Sequence, residues 1–145
     1  MKIKGDNSFV SIEIIGKSNP YSTNEWDKKW LKVNIVIKLL GFTANFNTEF
    51  LVDDFVLFKG SIEKVINNES KELEFKTLEG SFYLKGIINH LGSIEWLGYA
   101  IYPVGNGNKL TFKFESEYCQ IEKLKSELVE LYKQYYRSEE HTSEL

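Results

Sequence analysis

Hydrophobic and polar residues alternate along two neighbouring stretches of the chain. Every second position from residue 31 to residue 39 is aliphatic, and Phe42, Ala44, Phe46 and Phe50 continue the alternation after Gly41. Successive side chains of a β-strand point to opposite faces. The two stretches therefore predict two strands with one buried face each. The short connection at Gly41 predicts that they form an antiparallel hairpin.

The hydrophobic spacing becomes helical at two later places. After Asp53, apolar residues recur at intervals of three and four positions, and Asp53 is the predicted N-cap of this first helix. Asn67 and Asn68 are the predicted end. A second helix is predicted from about Ser116, with the apolar stripe Ile121, Leu124, Leu128, Leu131, Tyr132 and Tyr135.

Five further stretches predict strands, because they are apolar and are bounded by Gly, Asn and Ser. They are residues 9–15, 73–78, 82–88, 94–102 and 110–115. Strands that are joined by short turns pair antiparallel. The sequence thus predicts an α+β fold: one curved antiparallel sheet of about seven strands, in the order βββ-α-ββββ-α, with two helices packed on one face.

The length of the chain and its N-terminal sequence lead to expectations about domain number and localisation. The chain has 145 residues, which predicts a single domain, here residues 1–136. The first 16 residues lack the apolar run of a secretory signal, and no stretch is long enough to span a membrane. A single cysteine, Cys119, allows no internal disulfide. We therefore expect a cytoplasmic protein without a membrane partner.

Residues 137–145, RSEEHTSEL, differ in composition from the rest of the chain. They hold the only arginine, Arg137, and one of the two histidines. The segment resembles the in-frame translation of a common sequencing adapter, so we interpret it as an artefactual tail. The tail carries one Arg and three Glu, so without it the formal net charge of −3 becomes −1. This near neutrality, together with the lack of arginine, argues against a nucleic-acid partner.

The chain lacks a recognisable catalytic set. His90 lies in a predicted turn without a second His or Cys nearby, which gives a zinc site no support. Cys119 is interpreted as a structural residue, because a cysteine nucleophile needs a histidine partner. The run GNGNK at residues 105–109 precedes a strand and lacks the ending of a phosphate-binding loop. We predict no enzyme activity, no cofactor and no metal.

Large aromatic residues occupy a polar loop. Tyr21 and Trp26 lie within GKSNPYSTNEW, and they either fold back onto the core or anchor a partner, since Trp and Tyr dominate interface hot spots. The stretch 94–102, IEWLGYAIY, is apolar on both faces. It is either a central strand covered on both sides or part of a binding patch.

Four segments, in order, resemble the WapI-type immunity proteins of bacterial polymorphic toxin systems. They are DKKWLKVNIVI (27–37), GFTANFNTEFLVDDFVLFKGSIEKV (41–65), LEFKTLEGSFYLKG (73–86) and GNKLTFKFESEY (107–118). The resemblance covers about residues 9–135. The chain departs from the family at residues 115–120, where an Asp-Gln-Thr-like step is expected. In our interpretation Ser116 takes over the capping of the last helix. If this step shapes a partner surface, the chain binds a different partner from that of the typical family member.

The resemblance implies an immunity protein that binds a cognate toxin C-terminal domain, often a nuclease, and neutralises it by stoichiometric occlusion. Carboxylates that face a basic substrate channel speed association. We predict that the partner-binding residues are the anchors Tyr21 and Trp26 and the carboxylates Glu13, Glu79, Glu95 and Glu115.

Two alternatives remain open at this point. The chain is a small-molecule-binding or enzymatic α+β domain, or it is a homodimeric structural module that pairs through residues 94–102. The resemblance and the missing catalytic set favour the immunity protein, acting as a monomer.

Overall fold

Two antiparallel sheets of four strands each form the part of the protein that the structure describes. The computed structural model describes residues 1–136. The strands of the first sheet, sheet A, are β1 (Lys2–Gly5), β2 (Ser8–Lys17), β3 (Trp30–Leu39) and β4 (Phe42–Leu51), in this spatial order. The strands of the second sheet, sheet B, are β5 (Glu72–Lys76), β6 (Phe82–Ile88), β7 (Ser93–Tyr102) and β8 (Asn108–Glu117), also in chain order.

Among residues 1–136, three α-helices connect and follow the strands. They are α1 (Glu25–Lys28), between β2 and β3, α2 (Val52–Ile66), after β4, and α3 (Gln120–Leu131), after β8. A π-helical turn, Tyr132–Tyr136, continues α3. Leaving α1 aside, the chain therefore repeats one order twice, in which four antiparallel strands are followed by one helix.

The α+β class is confirmed, but the number of strands and their arrangement differ from the prediction. We expected one sheet of about seven strands, and the structure has two sheets of four. Strand β1 was not predicted, because its four residues contain a single buried side chain, Ile3. After β4 the chain forms α2, which packs against β5. The four strands that follow α2 pair with one another and form sheet B.

The predicted alternation is confirmed throughout β3 but only in part in β4, where Phe50 is buried and Phe42 is 65% exposed. Leu31, Val33, Ile35 and Ile37 are all buried, and β3 pairs with β4 in an unbroken register from Trp30 opposite Leu51 to Leu39 opposite Phe42. Gly41 adopts a positive φ of 83° in the two-residue turn between them. A two-residue hairpin turn favours this conformation, and glycine adopts it without steric cost.

A cluster of five phenylalanines unites the two halves of the chain. The ring of Phe75 in β5 lies 5.6 Å from Phe50, 5.4 Å from Phe55, 5.1 Å from Phe58 and 5.7 Å from Phe82, measured between centroids. These rings come from β4, α2, β5 and β6. Neither sheet buries its inner face alone, so the core is shared.

A chain of hydrogen bonds joins the two sheets at β1 and β8. The indole Nε1 of Trp96 donates to Ser116 Oγ at 3.1 Å, and Ser116 Oγ donates to the carbonyl of Lys4 at 2.6 Å. At the next residue, a Cβ on Gly5 would collide with the carbonyl oxygen of Glu115. The strands approach this closely because Gly5 has no side chain.

The capping predictions for both helices were wrong. Helix α2 begins at Val52 with Leu51 as N-cap, so Asp53 lies in its first turn. Ser116 is a buried residue of β8, held between Trp96 and Lys4, and α3 begins four residues later with Cys119 as N-cap. The apolar stripe of α3 is confirmed, since Ile121, Leu124 and Leu128 are its buried residues.

Candidate partner-binding surface

The loop before β3 holds two large aromatic residues at the surface. Asn24 caps α1, because its Oδ1 accepts hydrogen bonds from the backbone N–H of Trp26 at 2.8 Å and of Asp27 at 3.1 Å. The Trp26 ring meets that of Trp30 edge-on, with the centroids 6.0 Å apart. Trp26 is 50% exposed and Tyr21 is 96% exposed. Neither side chain therefore folds into the core, which was one of the two alternatives.

The start of α2 brings carboxylates beside this loop. The N–H of Val52 donates to the carbonyl of Lys29 at 2.9 Å, and Lys29 Nζ lies 3.4 Å from Asp53 Oδ2. Asp53 and Asp54 occupy the first turn of α2, where the helix dipole favours negative charge. The aromatic loop and the helix N-terminus thus form one surface.

Asp54 links the β5–β6 turn to the same helix end. Its Oδ2 accepts a hydrogen bond from the N–H of Leu51 at 3.1 Å. Burial raises the pKa of Asp54 to about 6, the backbone N–H groups of Leu51 and Leu78 lower it, and the charges of Asp53 and Glu79 raise it. The N–H of Leu78 and the charge of Glu79 both act on Asp54, so the β5–β6 turn lies beside the start of α2 although the two segments are distant in sequence.

These segments together form what we call the acidic–aromatic end. We define it by the residues Tyr21, Glu25, Trp26, Asp27, Asp53, Leu78 and Glu79. Two lysines partly offset its charge, since Lys28 pairs with Glu25 at 3.7 Å and Lys29 pairs with Asp53. Four carboxylates against two lysines leave the surface negative, and Tyr21, Trp26 and Leu78 are its exposed apolar groups.

We expect the stability of the protein to depend on the ionisation of Asp54. A carboxyl whose pKa is raised in the folded state is stabilising while neutral, so its contribution is complete below its ordinary pKa of 3.8 and is lost as the pH rises through about 6. Asp54→Asn removes this loss. The variant should therefore gain stability relative to the wild type as the pH rises. The difference between their free energies of unfolding should increase by roughly 2 kcal/mol between pH 4 and pH 7.5. Urea unfolding at both pH values measures the difference, and a difference independent of pH would contradict the prediction.

The other predicted carboxylates lie elsewhere. Glu95 and Glu115 face each other directly across β7 and β8, on the outer face of sheet B. Glu13 lies opposite Asn34 on the outer face of sheet A. The structure thus brings Tyr21, Trp26 and Glu79 to one surface and Glu95 and Glu115 to a second. The partner-binding role of all six residues stays a prediction.

Strand β7 is central in its sheet but is covered on one face only. Its inner side chains Ile94, Trp96 and Ala100 are buried. On the outer face Leu97 is exposed, and the ring of Tyr99 stacks on that of Tyr83 with the centroids 5.6 Å apart. The outer face beside Glu95 is therefore partly apolar and open, rather than covered on both sides.

The residues considered for chemistry do not gather into a catalytic arrangement. Among residues 1–136, no group of three or more His, Cys, Asp or Glu side chains is placed to hold a metal ion. His90 lies exposed in the turn between β6 and β7. Cys119 is exposed, with its Sγ 3.6 Å from Glu117 Oε2, so it is not a core residue. The GNGNK run spans the β7–β8 turn and the start of β8.

No helix in the described part of the chain combines the length and the apolar character that a membrane span requires. The predicted artefactual tail, residues 137–145, lies outside the described residues.

The family comparison agrees with the resemblance seen in the sequence. A family model described as "Immunity protein WapI-like family" matches residues 2–136. None of the curated proteins matches the chain.

A solved structure described as "Crystal structures of trypanosoma bruciei MRP1/MRP2" is similar in fold with a TM-score of 0.47 and 8% sequence identity. The similarity covers 90% of this chain and 85% of that chain. At this TM-score it supports no statement about function.

Proposed function

Because the chain belongs to the WapI-like immunity protein family, we propose that it neutralises the C-terminal toxin domain of a large exported bacterial protein. Membership gives an immunity-protein role, and this role implies a protein toxin as partner. The proposed mechanism is stoichiometric occlusion: residues 1–136 act as one domain that covers the active site of the toxin. Such a mechanism needs no catalytic group, and it operates in the cytoplasm of the cell that the toxin enters.

The acidic–aromatic end is the observation that favours a definite binding surface. Interfaces depend on a few large aromatic side chains that become fully desolvated in the complex. Trp26 and Tyr21 are exposed, and the hydrogen bonds of Asn24 hold the α1 backbone that carries Trp26. An aromatic side chain on a fixed backbone loses less conformational entropy on binding than one on a flexible loop. Trp26 therefore suits an anchor.

The charge of the same end favours a nuclease as the toxin. A nuclease carries a basic groove for its nucleic-acid substrate. The carboxylates of Asp27, Asp53 and Glu79 complement such a groove, and they would raise the rate of association by electrostatic steering. We therefore propose that this end covers the substrate groove of the toxin.

A titration of the toxin with this chain, followed by the nuclease activity that remains, tests the proposal. We expect the nuclease activity of the toxin domain encoded next to the gene of this chain to fall linearly as the full chain is added. The activity should vanish at one equivalent, because each molecule occludes one active site. Continued loss of activity at a small fraction of an equivalent would instead indicate that the chain acts on the toxin as an enzyme.

A further inference from the structure

Within residues 1–136, strand β4 is the edge of sheet A against which no other edge strand and no helix packs along its length. The four edge strands of the two sheets are β1, β4, β5 and β8. Helix α2 packs against β5, and β1 and β8 pack against each other. Within residues 1–136, β4 pairs with β3 on one side and with no strand on the other. An open strand edge is a template for pairing with another chain.

The register shows which backbone groups of β4 face the open edge. The N–H of Val52 donates to the carbonyl of Lys29 at 2.9 Å, in continuation of the register in which Leu51 lies opposite Trp30. Hydrogen-bonded pairs alternate along an antiparallel ladder. Residues 42, 44, 46, 48 and 50 therefore bond to β3. The N–H and C=O groups that point to the open edge belong to Thr43, Asn45, Asn47 and Glu49.

Nothing in the sequence of β4 blocks this edge. Proteins protect exposed edges with Pro, Lys, bulges or very short strands. Strand β4 has ten residues, contains no Pro, Lys or Arg, and pairs with β3 without a register shift. Its single charged residue is Glu49. It is thus long, regular and unprotected.

The side chains along the edge define what a fifth strand would need. On the inner face Phe42 is 65% exposed, and the ring of Phe46 lies 5.1 Å from that of the exposed Tyr102. On the outer face the amides of Asn45 and Asn47 each accept a hydrogen bond from Asn34 Nδ2 at 2.9 Å. An added strand would place apolar side chains on the first face, and amide, hydroxyl or basic side chains on the second.

We propose that β4 accepts an extended segment of the toxin domain as a fifth strand of sheet A, with a Lys or Arg of that segment beside Glu49. This inference rests on the proposed function. Glu49 lies opposite Lys32 on its β3 side, and β4 carries no cation to place beside it on the open side, so a foreign segment fits the charge better than a second copy of this chain. The edge also continues into the acidic–aromatic end, since β4 ends at Leu51 and Asp53 follows two residues later, in the first turn of α2. Strand addition is an established mode of peptide recognition, in which main-chain hydrogen bonds supply affinity.

A proline at position 47 tests the strand pairing. Asn47→Pro removes an N–H that points to the open edge and leaves the ladder with β3 intact, a position at which edge strands tolerate proline. Asn47→Thr is the matched control, because it loses the same amide side chain but keeps the N–H. Against the inactivated toxin domain, we expect Asn47→Pro to raise the Kd tenfold or more and Asn47→Thr to change it less than threefold. Equal affinities of the two variants would overturn the strand pairing.

Hydrogen exchange on the wild-type chain gives a second test, which does not depend on whether a variant folds. The amides of Thr43, Asn45, Asn47 and Glu49 should exchange quickly in the free chain and become protected in the complex. Unchanged exchange in a formed complex would overturn the strand pairing and leave the proposed function intact. Protection of the same amides in the concentrated free chain would indicate pairing with a second copy, and would also overturn it. A wild-type chain that forms no complex would overturn both proposals.

Discussion

Replacement of Phe75 by alanine is expected to lower the free energy of unfolding by about 3–5 kcal/mol. Phe75 is fully buried, and its ring contacts those of Phe50, Phe55, Phe58 and Phe82. Truncation removes the transfer free energy of the ring and leaves a cavity between the two halves of the chain, which the surrounding rings fill only in part. Since natural domains are stable by roughly 5–15 kcal/mol, a large share of the stability depends on this one side chain.

Phe42→Ala is the control for this variant, because it deletes the same ring at a position that is largely exposed. Its expected cost is below about 1 kcal/mol. Urea unfolding of both variants measures the two values. If Phe75→Ala is unfolded in buffer, Phe75→Leu provides an intermediate step, since it keeps part of the buried volume. A cost of Phe75→Ala that does not exceed that of Phe42→Ala would contradict a core shared by both halves.

Replacement of Trp26 by alanine is expected to weaken binding to the toxin domain by about 2 kcal/mol, or roughly 30-fold in Kd. The side chain is half exposed beside Trp30, so its indole offers a large apolar surface to a partner. Burial of that surface in a complex excludes water from the neighbouring carboxylates, which strengthens their interaction with cations of the toxin. The stability of the free chain should change little.

Tyr118→Ala is the matched control, because Tyr118 is also an exposed aromatic residue. It lies in a cleft with Val65, at the opposite end of α2 from Asp53. Its removal should leave the Kd within about twofold of the wild-type value, as expected for residues outside a hot spot. If Tyr118→Ala weakens binding more than Trp26→Ala does, the toxin binds near the C-terminal end of α2. That result would contradict the acidic–aromatic end as the binding surface.

Sequence periodicity predicted the elements that have long, regular patterns. Strands β3 and β4 and the stripe of α3 were found where the spacing placed them, because burial on one face imposes a period of two or of 3.6 residues. Helix α1 was missed because its four residues lie in a loop dominated by polar side chains. The division into two sheets was missed as well. Periodicity specifies which face of a strand is buried, but it does not specify which strands share a sheet.

The candidate surface was predicted only in part, for a related reason. Tyr21 and Trp26 were noticed because large aromatics are uncommon in polar loops. Asp53 was interpreted only as a helix cap. The turn that carries Glu79 lies beside α2 because the buried carboxylate of Asp54 interacts with it, and these two segments are distant in the chain. Such contacts leave no local pattern. The acidic doublet at the start of α2 was the available signal.

A calorimetric titration of the full chain with the catalytically inactivated toxin domain encoded next to its gene measures the proposed complex itself. We predict a complex of one chain with one toxin domain and a Kd in the nanomolar range, which corresponds to about −12 kcal/mol. We also predict that the affinity falls as salt is added, because the carboxylates of the acidic–aromatic end are exposed to screening. Absence of binding at micromolar concentrations of both proteins would contradict the proposed immunity function.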